Sequence, residues 1–375
     1  MRVETMRFDA RGGWSSPFPA LDSGRTLVIA FGAPERLESA LALEELRRAY
    51  PLATMIGCST AGEILADAIH DHSVVAAVVR FDATDIAHAS APVASAADSR
   101  GAGTALARSL ARPSLRGILV LSDGLSVNGS ELLRGIAEVV GDVPVSGGLA
   151  GDGDRFQRTW VFGENGLTTS RVSAVGLYGD RIRLSHGSRG GWDMFGPERL
   201  VTRSVGNVLY ELDDRPALAL YKQYLGERAT GLPATALLFP LSVRASKEVE
   251  PLVRTVLGVN EEENSMTFAG DVPLGALAQL MRANFERLID GAGSAAKIAS
   301  RDLAPTGENL AIAVSCVGRR LVLGERAEEE VEAAAHSLGD AKLVGFYSYG
   351  EISPLASGRC ELHNQTMTLT RIWEA

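Results

Sequence analysis

An α/β fold in two parts, with mixed β-sheets flanked by helices, is what the sequence predicts, and three observations carry it. Short apolar runs alternate with helical patterns along the chain. A strand–helix–strand unit near the beginning returns near the end. The 375 residues combine 46% apolar with 22% charged side chains. That balance belongs to a packed chain, and the length suits two domains better than one.

Residues 1–24, rich in Gly, Pro and Ser, read as an irregular arm. Thr26–Gly32 (TLVIAFG) is an apolar run of strand length. Glu35–Ala49 then spaces Leu37, Leu41, Leu43 and Leu46 for a helix that Pro51 ends. A strand runs into IGCSTAGEI (Ile56–Ile64), and Ser73–Phe81 (SVVAAVVRF) is the next strand. The theme then repeats with a strand at Gly117–Asp123, a helix at Ser130–Val140 capped by Ser130, and a strand end entering the glycines of Val143–Gly153. Trp160–Phe162 and Val172–Tyr178 supply further strands. The boundary falls near Asp213, giving domains of residues 25–212 and 213–375. Beyond it come a helix at Ala217–Leu225, strands at Thr235–Leu241 and Leu252–Val259, and a long helix at Leu274–Asp290.

The repeat is legible in residues. Ile56-Gly57-Cys58-Ser59-Thr60-Ala61-Gly62-Glu63-Ile64 aligns with Val344-Gly345-Phe346-Tyr347-Ser348-Tyr349-Gly350-Glu351-Ile352. Each copy follows a strand and an Ala/Glu/Leu-rich helix and precedes another strand. A strand, a crossover helix and a second strand favour a parallel pair with a right-handed crossover. Two such units imply pseudo-two-fold symmetry, with both Gly-Glu turns facing a shared cleft.

Composition excludes some functions. A net charge of −9 argues against nucleic-acid partners, which need a surplus of Lys and Arg. Cys58, Cys316 and Cys360 are widely spaced and form neither a disulfide framework nor a zinc pattern, which suits a reducing compartment. The N-terminus lacks the apolar core of a secretory signal, and no apolar run approaches the roughly 20 residues that span a bilayer. A cytoplasmic location without membrane insertion is the expectation.

The Gly-Glu turns are the leading candidate site. Glycines let a ligand approach backbone N–H groups, hydroxyls add donors, and a carboxylate meets an amine or guanidinium. This selects Gly57, Cys58, Ser59, Thr60 and Glu63 in one turn, and Tyr349 and Glu351 in the other. Asp123 stands at a strand end, where open α/β sheets place ligand contacts. Gly147, Gly148 and Asp152 lie in a glycine-rich turn without the Lys-Ser/Thr of a P-loop. Arg282 is a partner for a ligand carboxylate by residue type. His186, among glycines and beside Trp192, is a candidate ligand for haem iron, as is His363, which strand alternation puts on one face with Glu361 and Gln365. No GxSxG, HExxH or CxxC motif supports catalysis, which leaves a Cys58- or Ser59-dependent enzyme as a minor alternative.

IGCSTAGEI, VSGGLAGDG, the HGxxxGW stretch from His186, TRSVGNVLYELDDRPAL, GDVPLGAL, GFYSYGEISP and CELHNQTMTLT together resemble the FIST family, an N-terminal FIST domain followed by the FIST C-terminal domain. The resemblance runs from about Leu27 to the end. It implies a sensory module of signal transduction that binds a small ligand, such as an amino acid or related metabolite, between its two halves. Some bacterial members are haem-binding nitric-oxide sensors that act on histidine kinases or cyclic-di-GMP enzymes, so haem is the implied alternative. No kinase, GGDEF, EAL or receiver segment follows, and no F-box-like leader precedes. The resemblance therefore implies a free-standing sensor with a separate output partner. Ser188 stands where family sequences can carry Cys after the His-Gly pair.

Overall fold

The computed structural model describes residues 1–164, 166–301 and 307–375; the side chains of 36–38, including the expected helix-face residue Leu37, lie outside it. It is an α/β protein of mixed sheets flanked by helices. The strand–helix–strand repeat is present, and the anticipated pair belongs to a set of three.

Each unit joins two parallel strands through a helix and returns by an antiparallel strand beside the first. In the first unit Thr26–Gly32 lies parallel to Thr54–Ser59, with Arg36–Ala49 between them and Ser73–Arg80 returning. The second uses Leu115–Ser122, Gly129–Val140, Val145–Leu149 and Arg171–Tyr178. The third uses Leu310–Cys316, Ala327–Leu338, Lys342–Ser348 and Met367–Glu374. A leading strand flanks each return strand: Arg2–Asp9, Asp85–Pro92 and Ile182–Arg189.

After its second parallel strand every unit sends a short hairpin into a neighbour's sheet. Glu63–Leu65 of the first pairs with Lys342–Ser348 of the third. Gly350–Pro354 of the third pairs with Val145–Leu149 of the second, and Val161–Gly163 of the second pairs with Thr54–Ser59 of the first. The exchange closes on itself. Inner-facing residues of all three sheets share one core, which includes Phe31, Leu121, Val175 and Val314, and Phe31 stacks on Phe346 at 4.6 Å. Outer faces pack beneath the helices. Burial on both faces explains why TLVIAFG and SVVAAVVR are nearly continuous apolar runs instead of alternating ones.

The equivalence holds to the residue. Gly57, Gly147 and Gly345 pair with Ala30, Val120 and Ala313. A Cβ at each would stand 2.3, 1.8 and 2.0 Å from the carbonyl oxygen of that partner, so each parallel pair closes only around glycine. His72, Ser170 and Gln365, just before the return strands, all adopt left-handed backbone with φ of 53°, 54° and 56°.

Residues 193–282 interrupt the third unit with a separate antiparallel sheet and its own core around Leu218, Tyr221 and Phe268. The long helix expected at Leu274–Asp290 is here a strand, Leu277–Arg282, followed by a helix, Phe285–Ala299. Asn284 divides them because its side chain accepts from Arg287 N and caps the helix. The strand expected at Thr235–Leu241 is a 3-10 turn over Ala234–Leu238 that leads to the strand Leu241–Arg244, with Pro233 and Pro240 bracketing the turn. Within residues 1–24, Arg2–Asp9 is a full strand whose Met6 and Phe8 alternate into the core. The helix at Gly129–Val140 is capped by Asn128, not Ser130.

Gly147→Ala should destabilise the fold by at least about 1–3 kcal/mol, the ordinary cost of overpacking. Alanine there meets the tightest of the three contacts and also a φ of 135°. A urea midpoint equal to that of the parent protein would contradict the register described here.

Candidate functional site

The Gly-Glu turns lie where the three units meet, and backbone hydrogen bonds run between them in a ring. Ala61 N donates to Tyr347 O at 2.8 Å, Tyr349 N to Leu149 O at 3.2 Å, and Gly151 N to Ser59 O at 2.9 Å. The two turns converge, with the glycine-rich turn of Gly147, Gly148 and Asp152 as a third member, but they meet by direct packing instead of across the expected shared cleft.

Each glutamate is fully engaged by its own unit. Glu63 Oε1 accepts from Thr60 Oγ1 at 2.5 Å, and its Oε2 accepts from Ser73 Oγ and N. Glu351 repeats the arrangement with Ser348 Oγ, Thr366 Oγ1 and Thr366 N. Both are buried, and burial pushes each carboxyl up to about 8. In the second unit Val161 takes the place of the glutamate, as the strand pairings show. Asp123 serves there instead, accepting from Thr159 Oγ1 at 2.9 Å and from Leu125 N and Ser126 N.

Asp152 bonds to the hydroxyl of Tyr349 and accepts from Gln157 N and Arg158 N. Burial alone would raise its carboxyl, but the Tyr349 hydroxyl and these N–H groups hold it below its usual range. Phe156, half exposed, stacks on Tyr349 at 4.4 Å. Gly57, Cys58, Gly147 and Gly148 lie within buried strands. Burial pushes the Cys58 thiol well up, the opposite of thiolate activation, while Ser59 Oγ accepts from Trp160 N at 3.0 Å. Arg282 stands apart on the inserted sheet, its guanidinium 5.8 Å over the Phe195 ring. His363 is buried with Nε2 against Ser353 O at 3.1 Å. Its strand ends there and Gln365 turns left-handed, so Glu361, His363 and Gln365 do not form the expected continuous face.

Open volume lies elsewhere. A cavity of about 470 Å³ is lined by the leading strand of the third unit from Arg183 to Arg189, by Ile298 and Arg301, by Glu250, and by the turn at Pro354–Ala356. His186 is among its lining residues. Its Nδ1 lies 3.2 Å from Thr370 Oγ1, and its buried Nε2 has no hydrogen-bond partner among the described residues. Burial pushes this imidazole down to about 4, so it is neutral near pH 7. A second cavity, of about 460 Å³, is lined by residues of the inserted sheet, the helix Gly129–Val140 and the Leu355–Glu361 turn. The sequence selects His186 and also shows the basic cluster of Arg183 and Arg189, which by its acidic and apolar neighbours reads as a solvated face and here lines the cavity. Arg254 of the second cavity carried a usable signal, as a lone cation within the apolar run PLVRTVL.

Residues 26–215 match the FIST N domain and residues 217–354 the FIST C domain. The division cuts through the third unit, whose leading strand lies in the first match and whose parallel pair lies in the second. Uncharacterized proteins of Mycobacterium bovis and Mycobacterium tuberculosis are each 28% identical over 245 residues, 60% of this chain. The chain spans 59% of the length of those relatives. A crystal structure of cyanuric acid hydrolase from A. caulinodans aligns with 93% of this chain and 89% of its own at 9% identity and a TM-score of 0.37, a level that carries no functional meaning. Among the described residues no helix is long and apolar enough to cross a membrane.

The raised carboxyls give stability a definite pH dependence. The folded chain keeps at Glu63 and Glu351 protons that the unfolded chain releases above the ordinary value of 4.5. Their contribution is complete below that value and is lost as pH climbs towards about 8. The urea midpoint should therefore fall between about pH 5 and pH 8.5, and Glu63→Gln and Glu351→Gln should each flatten the fall. Parallel profiles for parent and variants would mean that neither carboxyl is held neutral.

Proposed function

The chain belongs to the FIST family, whose domains are associated with sensory signal transduction, and on that premise we propose that it senses a small anionic ligand held in the cavity beside His186. The observation that carries this reading is the unpartnered Nε2 of His186 next to a 470 Å³ space that Arg183, Arg189 and Arg301 also line. A buried polar atom without a partner is unfavourable unless something supplies one, and three guanidiniums favour an anion. The lining comes from both family-matched parts, Arg183 to Arg189 from the first and Glu250, Ile298 and Pro354 from the second. The ligand thus sits between the two FIST halves, and an amino acid or related metabolite supplies the carboxylate. The Gly-Glu turns, with Asp123, Asp152 and Tyr349, hold the frame that positions these walls. Occupancy shifts the relation of the halves by its differential affinity for their arrangements, and a separate output protein such as a histidine kinase or a cyclic-di-GMP enzyme reads the result.

Haem is the second reading, favoured by the same nitrogen. His186 Nε2 is a free imidazole donor and the arginines suit propionates, whereas His363 is committed to the Ser353 carbonyl. Bound haem would supply an iron that takes up a diatomic gas.

Thermal-shift measurements with amino acids, organic acids and haem separate these readings. An anionic ligand at a hundredfold excess over its Kd should stabilise the parent protein by about 2.7 kcal/mol, and His186→Ala and Arg301→Glu should abolish the effect. Haem binding would add a Soret band that His186→Ala removes. If no ligand stabilises the parent protein in a manner dependent on His186, the assignment of this cavity is wrong.

A further inference from the structure

The second cavity, about 460 Å³, borders the same turn as the first, and both are lined by Glu250, Leu355 and Ala356. Arg254 projects from the inserted sheet and is 97% removed from solvent, its residue retaining 3% exposure. Its Nε donates to Asp271 O at 2.9 Å, and its Nη1 donates to Leu362 O at 3.0 Å and Val253 O at 3.3 Å. These bonds staple the insertion to the third unit through carbonyls. Among the described residues Arg254 has no carboxylate partner, and its Nη2 has no hydrogen-bond partner.

The acids nearby are already taken. Asp271 is paired with Arg134 at 2.9 Å and accepts from Asn128 Nδ2, and Glu361 is paired with Arg359 at 2.5 Å. The contrast with Arg319 is instructive. That arginine is equally buried but meets Glu330 through Nε and Nη2, as a structural cation does. A buried guanidinium without an anion is costly, and here it borders an open space. Ser130, in the first turn of the helix Gly129–Val140, lines the same space, and its buried hydroxyl has no partner among the described residues.

We propose that this cavity is a second binding site, specific for a small organic carboxylate, with Arg254 as the receptor of the carboxylate and Ser130 as an additional donor. Arg254 Nη2 keeps its two N–H groups to donate to a carboxylate, and Val243, Val249 and Leu252 offer apolar wall to its carbon chain. Glu248, Glu250, Glu361 and Asp271 also line the space and oppose a doubly charged phosphate. The ligand completes the staple of Arg254, so it tightens the insertion against the rest of the molecule. This site takes its ligand on residues other than His186, although the two cavities share the wall of Glu250, Leu355 and Ala356.

The test is titration calorimetry of the full chain with acetate, propionate, butyrate and glycine, and with inorganic phosphate as the opposed anion. The parent protein should bind at least one carboxylate and bind phosphate more weakly. Arg254→Lys keeps the charge but loses the Nη2 donors, and should weaken binding about tenfold or more. Ser130→Ala removes no described hydrogen bond, should fold normally, and should weaken binding about threefold to tenfold. His186→Ala should leave this binding unchanged, which separates the site from the other cavity. Absence of carboxylate binding to the parent protein, tighter binding of phosphate, or affinity unaltered in Ser130→Ala would each overturn the proposal.

Discussion

The close approach of backbone to backbone at Gly57, Gly147 and Gly345 is the constraint on which the architecture rests. A side chain at any of these positions would occupy the place of a carbonyl oxygen on the neighbouring parallel strand. Only with the strands this near can the following turns reach across to one another and close the ring of hydrogen bonds through Ala61, Tyr349 and Gly151. That ring links units far apart in sequence, so the first strands of the chain are completed by its last. Each exchanged hairpin also covers a sheet edge that would otherwise present unpaired N–H and C=O groups.

The three units share a frame and differ in how they satisfy it. Two carry a buried glutamate held by a hydroxyl three residues earlier and by Ser73 or Thr366, the residue that begins or immediately precedes the return strand. The second unit has Val161 at that place, and the intervening segment brings in Thr159 to bond Asp123. The third unit adds a fully buried cluster of its own, in which Glu330 accepts from Ser315, Tyr347 and Arg319 while Arg319 also donates to the carbonyls of Gly190 and Leu288. Every acceptor in that cluster faces a donor, which is the condition for a buried ion pair to be tolerated. Duplicated backbone thus kept its register while its polar interior diverged.

This divergence explains what the sequence could reveal. The first and third units were legible because both keep Gly-Glu-Ile after the strand and present it at the same spacing. The strand, helix and strand of the second were also legible, but the equivalence of its turn was hidden because residues between Gly151 and Trp160 separate that turn from its hairpin strand, and because valine replaces glutamate. The strand Leu277–Arg282 read as helix because Leu277, Leu280 and Met281 fall at the i, i+3, i+4 spacing of a helix, although in the strand Leu280 faces opposite to the other two; only Asn284 marked the true helix start. Arg2–Asp9 was obscured by the glycines and prolines that follow it. The candidate residues of the turns were found together, as expected, but their hydrogen bonds point inward to their own strands. No local pattern could foresee the cavities, since their walls join residues more than 100 positions apart, such as Ser130 and Arg254.

The position of those cavities has a physical logic. Where three equivalent units meet, each turn is the natural partner of the next, and packing satisfies the backbone donors and acceptors of the ring without a guest. Asymmetry is what leaves groups unmatched. The sheet of residues 193–282 interrupts only the third unit, and the turn between Gly350–Pro354 and Cys360–His363 is longer than the corresponding turns at Glu63–His70 and Val161–Thr168. Both cavities border that turn, and the unpartnered atoms of His186 and Ser130 line them. A protein that responds to a guest needs an element whose docking is incomplete without it, and a tightly closed ring cannot provide one. The insertion and the long turn can, because they are attached at the margin of the ring by a few polar contacts, such as Arg254 to Leu362 and Asn128 to Asp271. Ligands at this margin can therefore change how the insertion sits while leaving the closed core intact.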